Sequence, residues 1–182
     1  MTTDKVDKIE RARLLAMFIH LGEKRRNGED YLVHPERMVS KMQDTYSEDR
    51  KRRSATDPNW RATREWISNN GDLTCATWLH DVLENCKPEQ RAAVFSTIQS
   101  FFPLKVEGLV FCLTHDNSQT YNEYIDSVSQ YPDAFKIKCV DMFDNLTDNP
   151  TEKQTLKYRN ACIYLITKGV EIPKFLKDEL EI

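Results

Sequence analysis

The amino-acid sequence predicts an all-α bundle, and three observations point that way. Glycine is scarce, with five in 182 residues. Alternating apolar–polar runs, the signature of a half-buried strand, are few. Apolar residues instead recur at steps of three and four in segment after segment, the period of a helix with one buried face.

Taken in order, residues 5–23 put Ile9, Ala12, Ala16 and Ile19 on one helical face. Pro35 suits the start of a second helix, where its missing N–H is not needed; this helix is expected to end near Tyr46. The stretch "DTYSEDRKRRSATDPNW" then breaks the pattern. It is polar, with a basic cluster from Arg50 to Arg53, and "RATREWIS" after it suggests a short helix. Residues 44–70 are accordingly read as an insertion: a solvated one, or a lid or contact for an anionic partner. Asp72 is a candidate N-cap for the helix "DLTCATWLHDVLENC". Further helices are expected in "KPEQRAAVFSTIQSFF", "LKVEGLVFCLTHD", "TYNEYIDSVSQY" and "DAFKIKCVDMFDNL". Residues 151–168 form another, with Thr151 as its cap and Gly169 as its stop. A short amphipathic tail closes the chain. No repeat or low-complexity linker interrupts it, so residues 1–182 read as one domain.

The formal net charge of −3 provides no basic field to draw in nucleic acid. No apolar run reaches the length of a membrane span, and the polar start "MTTDKVDKIE" is unlike a signal peptide. Neither membrane nor nucleic acid is an expected partner. The five cysteines are odd in number and widely spaced, with no C-x-x-C. They point to a reducing cytoplasm rather than a disulfide framework.

The candidate chemistry lies in "WLHDVLEN", residues 78–85, and in "FKIKCVDMFDNL". On a continuous helix, His80 and Glu84 would share a face, as would Asp81 and Glu84, Asp141 and Asn145, and Lys138 and Asp141. Polar stripes on an apolar background are costly to bury unless something pairs them. Two imidazoles with two carboxylates suit Mn²⁺, Fe²⁺ or Zn²⁺. A lone His is more often a structural residue, and the dipeptide "HD" alone is a weak signal.

The ordered set "HLGEKRRNGEDYLVHP", "WLHDVLEN" and "IKCVDMFDNL" resembles the metal-dependent HD phosphohydrolases. More narrowly, it is similar to the hydrolase domain of the RelA/SpoT alarmone enzymes, and most of all to the stand-alone small alarmone hydrolases. The first motif, H-x-G-x-x-R-x-x-G-x-x-Y-x-x-HP, is met by His20, Gly22, Arg25, Gly28, Tyr31, His34 and Pro35 with every spacing kept. The second, L-L-H-D-x-x-E-D, appears as Trp78 to Asn85. The third, K-L-A-D-x-x-x-N-L, appears as Lys138 to Leu146. The resemblance covers roughly residues 9–165. His34 and His80 lie 46 residues apart, a longer gap than usual in these hydrolases, which again marks 44–70 as an addition.

The resemblance implies an HD-domain helical bundle with one Mn²⁺ held by His34, His80, Asp81 and Asp141. It implies that Glu84 orients or deprotonates the attacking water. The family's following Asp is replaced by Asn85, and an amide is no base near pH 7; Asn85 is still expected among the catalytic residues, where it can hydrogen-bond a water or a substrate oxygen. Arg25 corresponds to an arginine beside the nucleotide base, and Asn145 to a residue near metal and ribose. Lys24, Arg26 and Lys138 could add positive charge for a polyphosphate, although Lys24 and Arg26 also read as solvated surface. Tyr31 is expected to pack the loop and His20 to brace it. His115 reads as structural, at a helix C-terminus that favours its charge. Tyr121 and Tyr124 lie where the family often places residues facing the substrate pocket.

The activity so implied is removal of the 3′-pyrophosphate from a purine alarmone, ppGpp or ppApp, to give the nucleoside 5′-phosphate and pyrophosphate. Asn85 and the insertion motivate two alternatives. One is an HD phosphohydrolase for another nucleotide, such as the 2′-phosphate of NADPH or a nucleoside monophosphate. The other is a relative that binds nucleotide without turnover.

Overall fold

The computed structural model describes the backbone of residues 2–56 and 64–182, and the side chains of residues 8–44 and 71–182. The described backbone is helical throughout, apart from loops and one isolated antiparallel bridge, Lys24 with Asp30. The helices are α1 (Thr2–Ile19), α2 (Val33–Thr56), α3 (Arg64–Leu79), α4 (Val82–Asn85), α5 (Arg91–Phe101), α6 (Leu104–Leu113), α7 (Tyr121–Ser129), α8 (Pro132–Thr147), α9 (Glu152–Thr167) and α10 (Lys174–Leu180). A 3₁₀ turn, Pro88–Gln90, precedes α5. The all-α expectation holds.

Helix α8 is the axis of the bundle, packed by α2, α6, α7, α9 and α10. It buries Ala134, Phe135, Ile137, Cys139, Val140, Met142 and Leu146, so a polar side chain on α8 is presented to the inside of the fold. Truncating Ile137 or Met142, both fully buried, to Ala would cost about 2–5 kcal/mol. Helix α1 lies along α3. The fully buried Ala12 and Ala16 keep the α1 side of that contact shallow. All five cysteines are free, and four of them are buried.

Several boundaries match the sequence reading. Thr151 caps α9 by accepting from the Gln154 N–H, and Gly169 ends that helix with φ +81°, a conformation glycine adopts without strain. Thr120 and Glu123 add a reciprocal capping box at α7.

Three expectations are corrected. Helix α2 runs to Thr56 rather than stopping near Tyr46, because neither Gly nor Pro interrupts residues 36–56. Asp72 lies inside α3 and caps nothing. Its buried carboxylate pairs instead with Lys8 of α1 at 2.6 Å. Third, the segment from Thr74 through Asn85 is not one helix. It breaks after Leu79, with His80 and Asp81 in the turn before α4. The side chains of the basic cluster Arg50 to Arg53, and the backbone of 57–63, lie outside the described residues. Of the insertion read over 44–70, only the backbone ends of α2 and α3 are described.

Candidate metal centre

The loop from His20 to Leu32 carries the first group of site residues. Gly22 and Gly28 take φ +80° and +89°, which explains glycine at both motif positions. The turn closes on backbone bonds from Arg25 N to Glu29 O (2.9 Å) and from Tyr31 N to Glu23 O (3.1 Å). His20 is buried, stacks on Tyr31 with centroids 4.1 Å apart, and lies 2.7 Å from Glu23 through Nδ1. It braces the loop, as expected. Tyr31 does more than pack it, since its hydroxyl donates to Asp81.

His34 enters from the first turn of α2, His80 from the break between α3 and α4, and Asp141 from the middle of α8. All three are buried. The Nε2 atoms of the two imidazoles lie 3.2 Å apart. Asp81 Oδ2 is 3.1 Å from His80 Nε2. Asp141 Oδ1 lies 3.2 Å from His34 Nε2 and 3.8 Å from His80 Nε2. One ligand atom each from His34, His80 and Asp81 falls within 4.8 Å of the others, close enough to share an ion. The four residues of the predicted metal set therefore converge.

Hydrogen bonding fixes which ring nitrogens face the centre. His80 Nδ1 is 2.9 Å from the Thr77 carbonyl, which can only accept, so Nδ1 carries a proton. His34 Nδ1 is 2.7 Å from Asp144 Oδ2. Burial pushes Asp144 upward, but hydrogen bonds from His34 and Arg37 outweigh it and hold the carboxyl below its ordinary value. It too is an acceptor. In the neutral tautomers, both Nε2 lone pairs point into a space already bordered by two carboxylates. Acceptors facing acceptors in a buried site need a positive charge among them. The donor set therefore fits a divalent cation, and carboxylate-held imidazoles are a usual arrangement behind metal ligands. The electrostatics agree. Burial alone would depress His80, but Asp81 and Asp141 more than offset it and raise it to about 9. Asp141 is pushed up by burial, but Lys138 and the two imidazoles hold it well below the usual carboxylate range.

The break after Leu79 also sets the position of Glu84. Glu84 Oε1 accepts the His115 backbone N–H at 2.5 Å. Glu84 is exposed overall, but its carboxyl is crowded against the site. Partial burial raises its pKa, the His115 N–H opposes that, and Asp81 pushes it up further. Asn85 donates through Nδ2 to the Tyr31 hydroxyl at 3.3 Å. The strut Asn85–Tyr31–Asp81 explains what an amide does here that a carboxylate would not: it donates to an oxygen whose own proton is already committed to Asp81.

The remaining site residues divide into two groups. Lys138 is 2.8 Å from Asp141 Oδ2 and 5.3 Å above the Tyr124 ring. Asn145 donates to Asp141 Oδ1 at 2.6 Å. Tyr124 is buried, and its hydroxyl donates to the Leu113 carbonyl. These three adjoin the centre. Arg25 does not present an open guanidinium: it lies 2.5 Å from Asp148 and 3.5 Å from Asp144, with its side chain 8% exposed. Lys24 is exposed, 3.7 Å from Asp30. Arg26 reaches the Asn149 carbonyl and Gln154. His115 lies just past the end of α6 and contributes its N–H to Glu84, a role the helix-end reading missed.

Sequence reasoning also missed Asp144, Asp148 and Arg37. Asp144 takes His34 Nδ1 on one side and Arg37 on the other, at 2.7 Å. Its one visible signal was its place on α8, three residues beyond Asp141.

No protein-family model matches the sequence, and neither does any curated protein. Among solved structures, the chain is similar to a metazoan ortholog of SpoT described as hydrolysing ppGpp and playing a role in starvation responses. The TM-score is 0.63 at 21% identity, covering 96% of this chain and 92% of that one. The likeness establishes the fold, an all-α HD-domain bundle.

Proposed function

We propose that this HD-domain bundle is a divalent-metal-dependent hydrolase that removes the 3′-pyrophosphate from a purine alarmone, ppGpp or ppApp. The products are the nucleoside 5′-phosphate and pyrophosphate. The observation that carries the reading is the convergence of His34 Nε2, His80 Nε2, Asp81 and Asp141, with both Nδ1 atoms already bonded outward. The fold shared with a ppGpp hydrolase supports the choice of substrate.

His34, His80, Asp81 and Asp141 would hold the ion, and their mixed nitrogen and oxygen donors suit Mn²⁺. When bound, such an ion supplies Lewis acidity at a phosphoryl oxygen and lowers the pKa of water. The protein supplies the rest. Glu84 has one oxygen tied to the His115 N–H, which leaves the other to take a proton from the attacking water. Lys138 adds a buried positive charge beside Asp141, and Asn145 fixes the orientation of the same carboxylate. Asn85 supports Asp81 through Tyr31 and is not the base. Arg25, held by Asp144 and Asp148, would act behind His34 unless substrate draws it out. Lys24, exposed at the loop tip, would meet the nucleotide's outer phosphates.

Among the described residues no helix is long and apolar enough to cross a membrane, and the five free cysteines support a cytoplasmic setting. The test is metal analysis of the purified protein, followed by product identification. Incubation with ppGpp and ppApp plus Mn²⁺ should release pyrophosphate, and Asp81→Ala should abolish it. Release of only inorganic phosphate, from NADPH or a nucleoside monophosphate, would replace this reading with the second phosphohydrolase reading.

A further inference from the structure

Beside the metal centre lies a cluster that the proposed chemistry has not used. Tyr121, the first residue of α7, and Tyr158 of α9 set their rings 6.1 Å apart at 36°. Lys157 lies over both, its Nζ 4.5 Å from the Tyr121 centroid and 4.8 Å from that of Tyr158. No carboxylate lies within ion-pair distance of Lys157 among the described residues. The residue as a whole is exposed on α9.

Two further facts make this more than a surface lysine on aromatic rings. The Tyr121 hydroxyl is the one buried side-chain polar atom, among the described residues, with no hydrogen-bond partner. Native folds rarely leave such a group unmatched. The Tyr121 ring lies 5.8 Å from that of Tyr124, over which Lys138 sits at 5.3 Å, so the phenol belongs to the side-chain cluster beside the candidate centre. The Tyr158 hydroxyl is already engaged by Gln154 at 3.3 Å. The second fact is repulsion. Lys138 lies over the Tyr124 ring and Lys157 over the neighbouring Tyr121 ring, so two ammonium groups flank one aromatic cluster that holds the idle phenol, and partial burial and the Lys138 charge both depress Lys157. An anion with several acceptor oxygens would satisfy all three groups at once.

We propose that Lys157, the Tyr121 hydroxyl and Lys138 form a subsite for the outer phosphate of the leaving pyrophosphate. The assignment rests on the alarmone reading for the identity of the substrate. The position decides which phosphate is meant. Lys138 bonds Asp141, a residue of the metal set, so a phosphate bridging Lys138 and Lys157 is the next one along from the phosphoryl group under attack. The subsite takes inorganic pyrophosphate as product. It favours a 3′-diphosphate over a 3′-monophosphate, because only the former reaches Lys157.

The test uses inorganic pyrophosphate as the probe, with Mn²⁺ present, by calorimetric titration of the full chain and of the variants Lys157→Gln and Tyr121→Phe. Tyr121→Phe keeps the ring and removes only the hydroxyl. The expected result is a tenfold or greater loss of pyrophosphate affinity in Lys157→Gln and a threefold or greater loss in Tyr121→Phe. Manganese content and melting temperature should stay at wild-type values. Equal pyrophosphate affinity in all three proteins, or no binding by the wild type, overturns the subsite. If the wild type binds pyrophosphate through Lys157 yet releases none from ppGpp or ppApp, the subsite stands and the alarmone reading falls.

Discussion

His34 Nε2 and His80 Nε2 face each other across 3.2 Å, while each ring's Nδ1 is bonded to an acceptor behind it. The backing acceptors matter as much as the facing atoms. The Thr77 carbonyl sits one turn back on α3, and the Asp144 carboxylate one turn beyond Asp141 on α8. Each imidazole is therefore oriented by the helix that forms the wall beside it. Without a proton or a cation between them, two lone pairs and two carboxylates would repel in a buried space. The fold is arranged around a positive charge.

A divalent ion should accordingly stabilise the folded chain. At a free Mn²⁺ concentration of 100 times Kd, mass action contributes about 2.7 kcal/mol, which for a chain of this size is a rise of roughly 5–10 °C in melting temperature. Thermal melts with EDTA and with graded Mn²⁺ measure this. His80→Ala and Asp141→Ala should lose the metal-dependent part of the shift, and a wild-type melting temperature indifferent to Mn²⁺, Fe²⁺ and Zn²⁺ would refute a metal centre here.

Asp144 should behave as a positioning residue for His34. Its carboxylate fixes the tautomer and ring orientation, and Arg25 and Arg37 hold the carboxylate in turn. Asp144→Asn keeps the shape but removes the charge, and metal affinity should fall roughly 10–100-fold. The readout is Mn²⁺ affinity rather than fold, since the amide still packs. Asp144→Glu should recover part of the loss, and unchanged affinity in Asp144→Asn would show that His34 needs no anionic support.

The four side chains that converge, His34, His80, Asp81 and Asp141, could be picked out in the sequence because their spacing belongs to local structure: a loop with two glycines, a turn and one helix, each with a fixed motif. The support could not. Asp144 meets His34 and Arg37 across 110 and 107 residues of chain, and Asp148 meets Arg25 across 123. Such pairs carry no periodic signal. The break after Leu79 was hidden for a different reason. Residues 72–86 contain neither Gly nor Pro, so helical spacing seemed to continue. The turn instead follows from burying His80 while sending Glu84 toward the His115 N–H. Asp72 misled in the same way, since a carboxylate before an apolar run looks like a cap until Lys8 is placed beside it.

His20 should contribute a pH-dependent part of the stability. Burial depresses its pKa below the ordinary 6.5, partly countered by Glu23. A group with a depressed folded-state pKa binds protons more readily when unfolded, so its contribution is full above about 6.5 and is lost as pH falls from there through the folded value. Urea unfolding at pH 7.5, 6.5 and 5.5 should show the wild type losing more stability on acidification than His20→Gln. Parallel losses in the two proteins would remove His20 from the account.

Asn85→Asp tests the strut against the base. The variant introduces the carboxylate of the motif that this segment resembles but gives up the donor to Tyr31, a loss of about 0.5–1.5 kcal/mol in stability. Hydrolysis of ppGpp should rise, or at least not fall, because a second carboxylate near Glu84 can share proton transfer. The measurement pairs kcat on ppGpp with a denaturant midpoint. A large fall in kcat at unchanged metal content would give Asn85 a role of its own in the reaction.

Glu84 should set the acid limb of the rate profile. A proton acceptor works only when ionised, and partial burial together with Asp81 raises this carboxyl above the ordinary 4.5. The activity should therefore climb with pH through an apparent value above that of a free glutamate. Glu84→Gln keeps an oxygen for the His115 N–H, so the loop should hold its place, while the capacity to accept a proton is gone. The rate constant should drop about 100-fold or more, with manganese affinity intact and the acid limb flattened. Both readouts are needed. A lower rate with the limb unchanged would mean that Glu84 only fixes the loop after α6 and that another group accepts the proton; a limb that moves with Glu84 ties the ionisation to the chemistry.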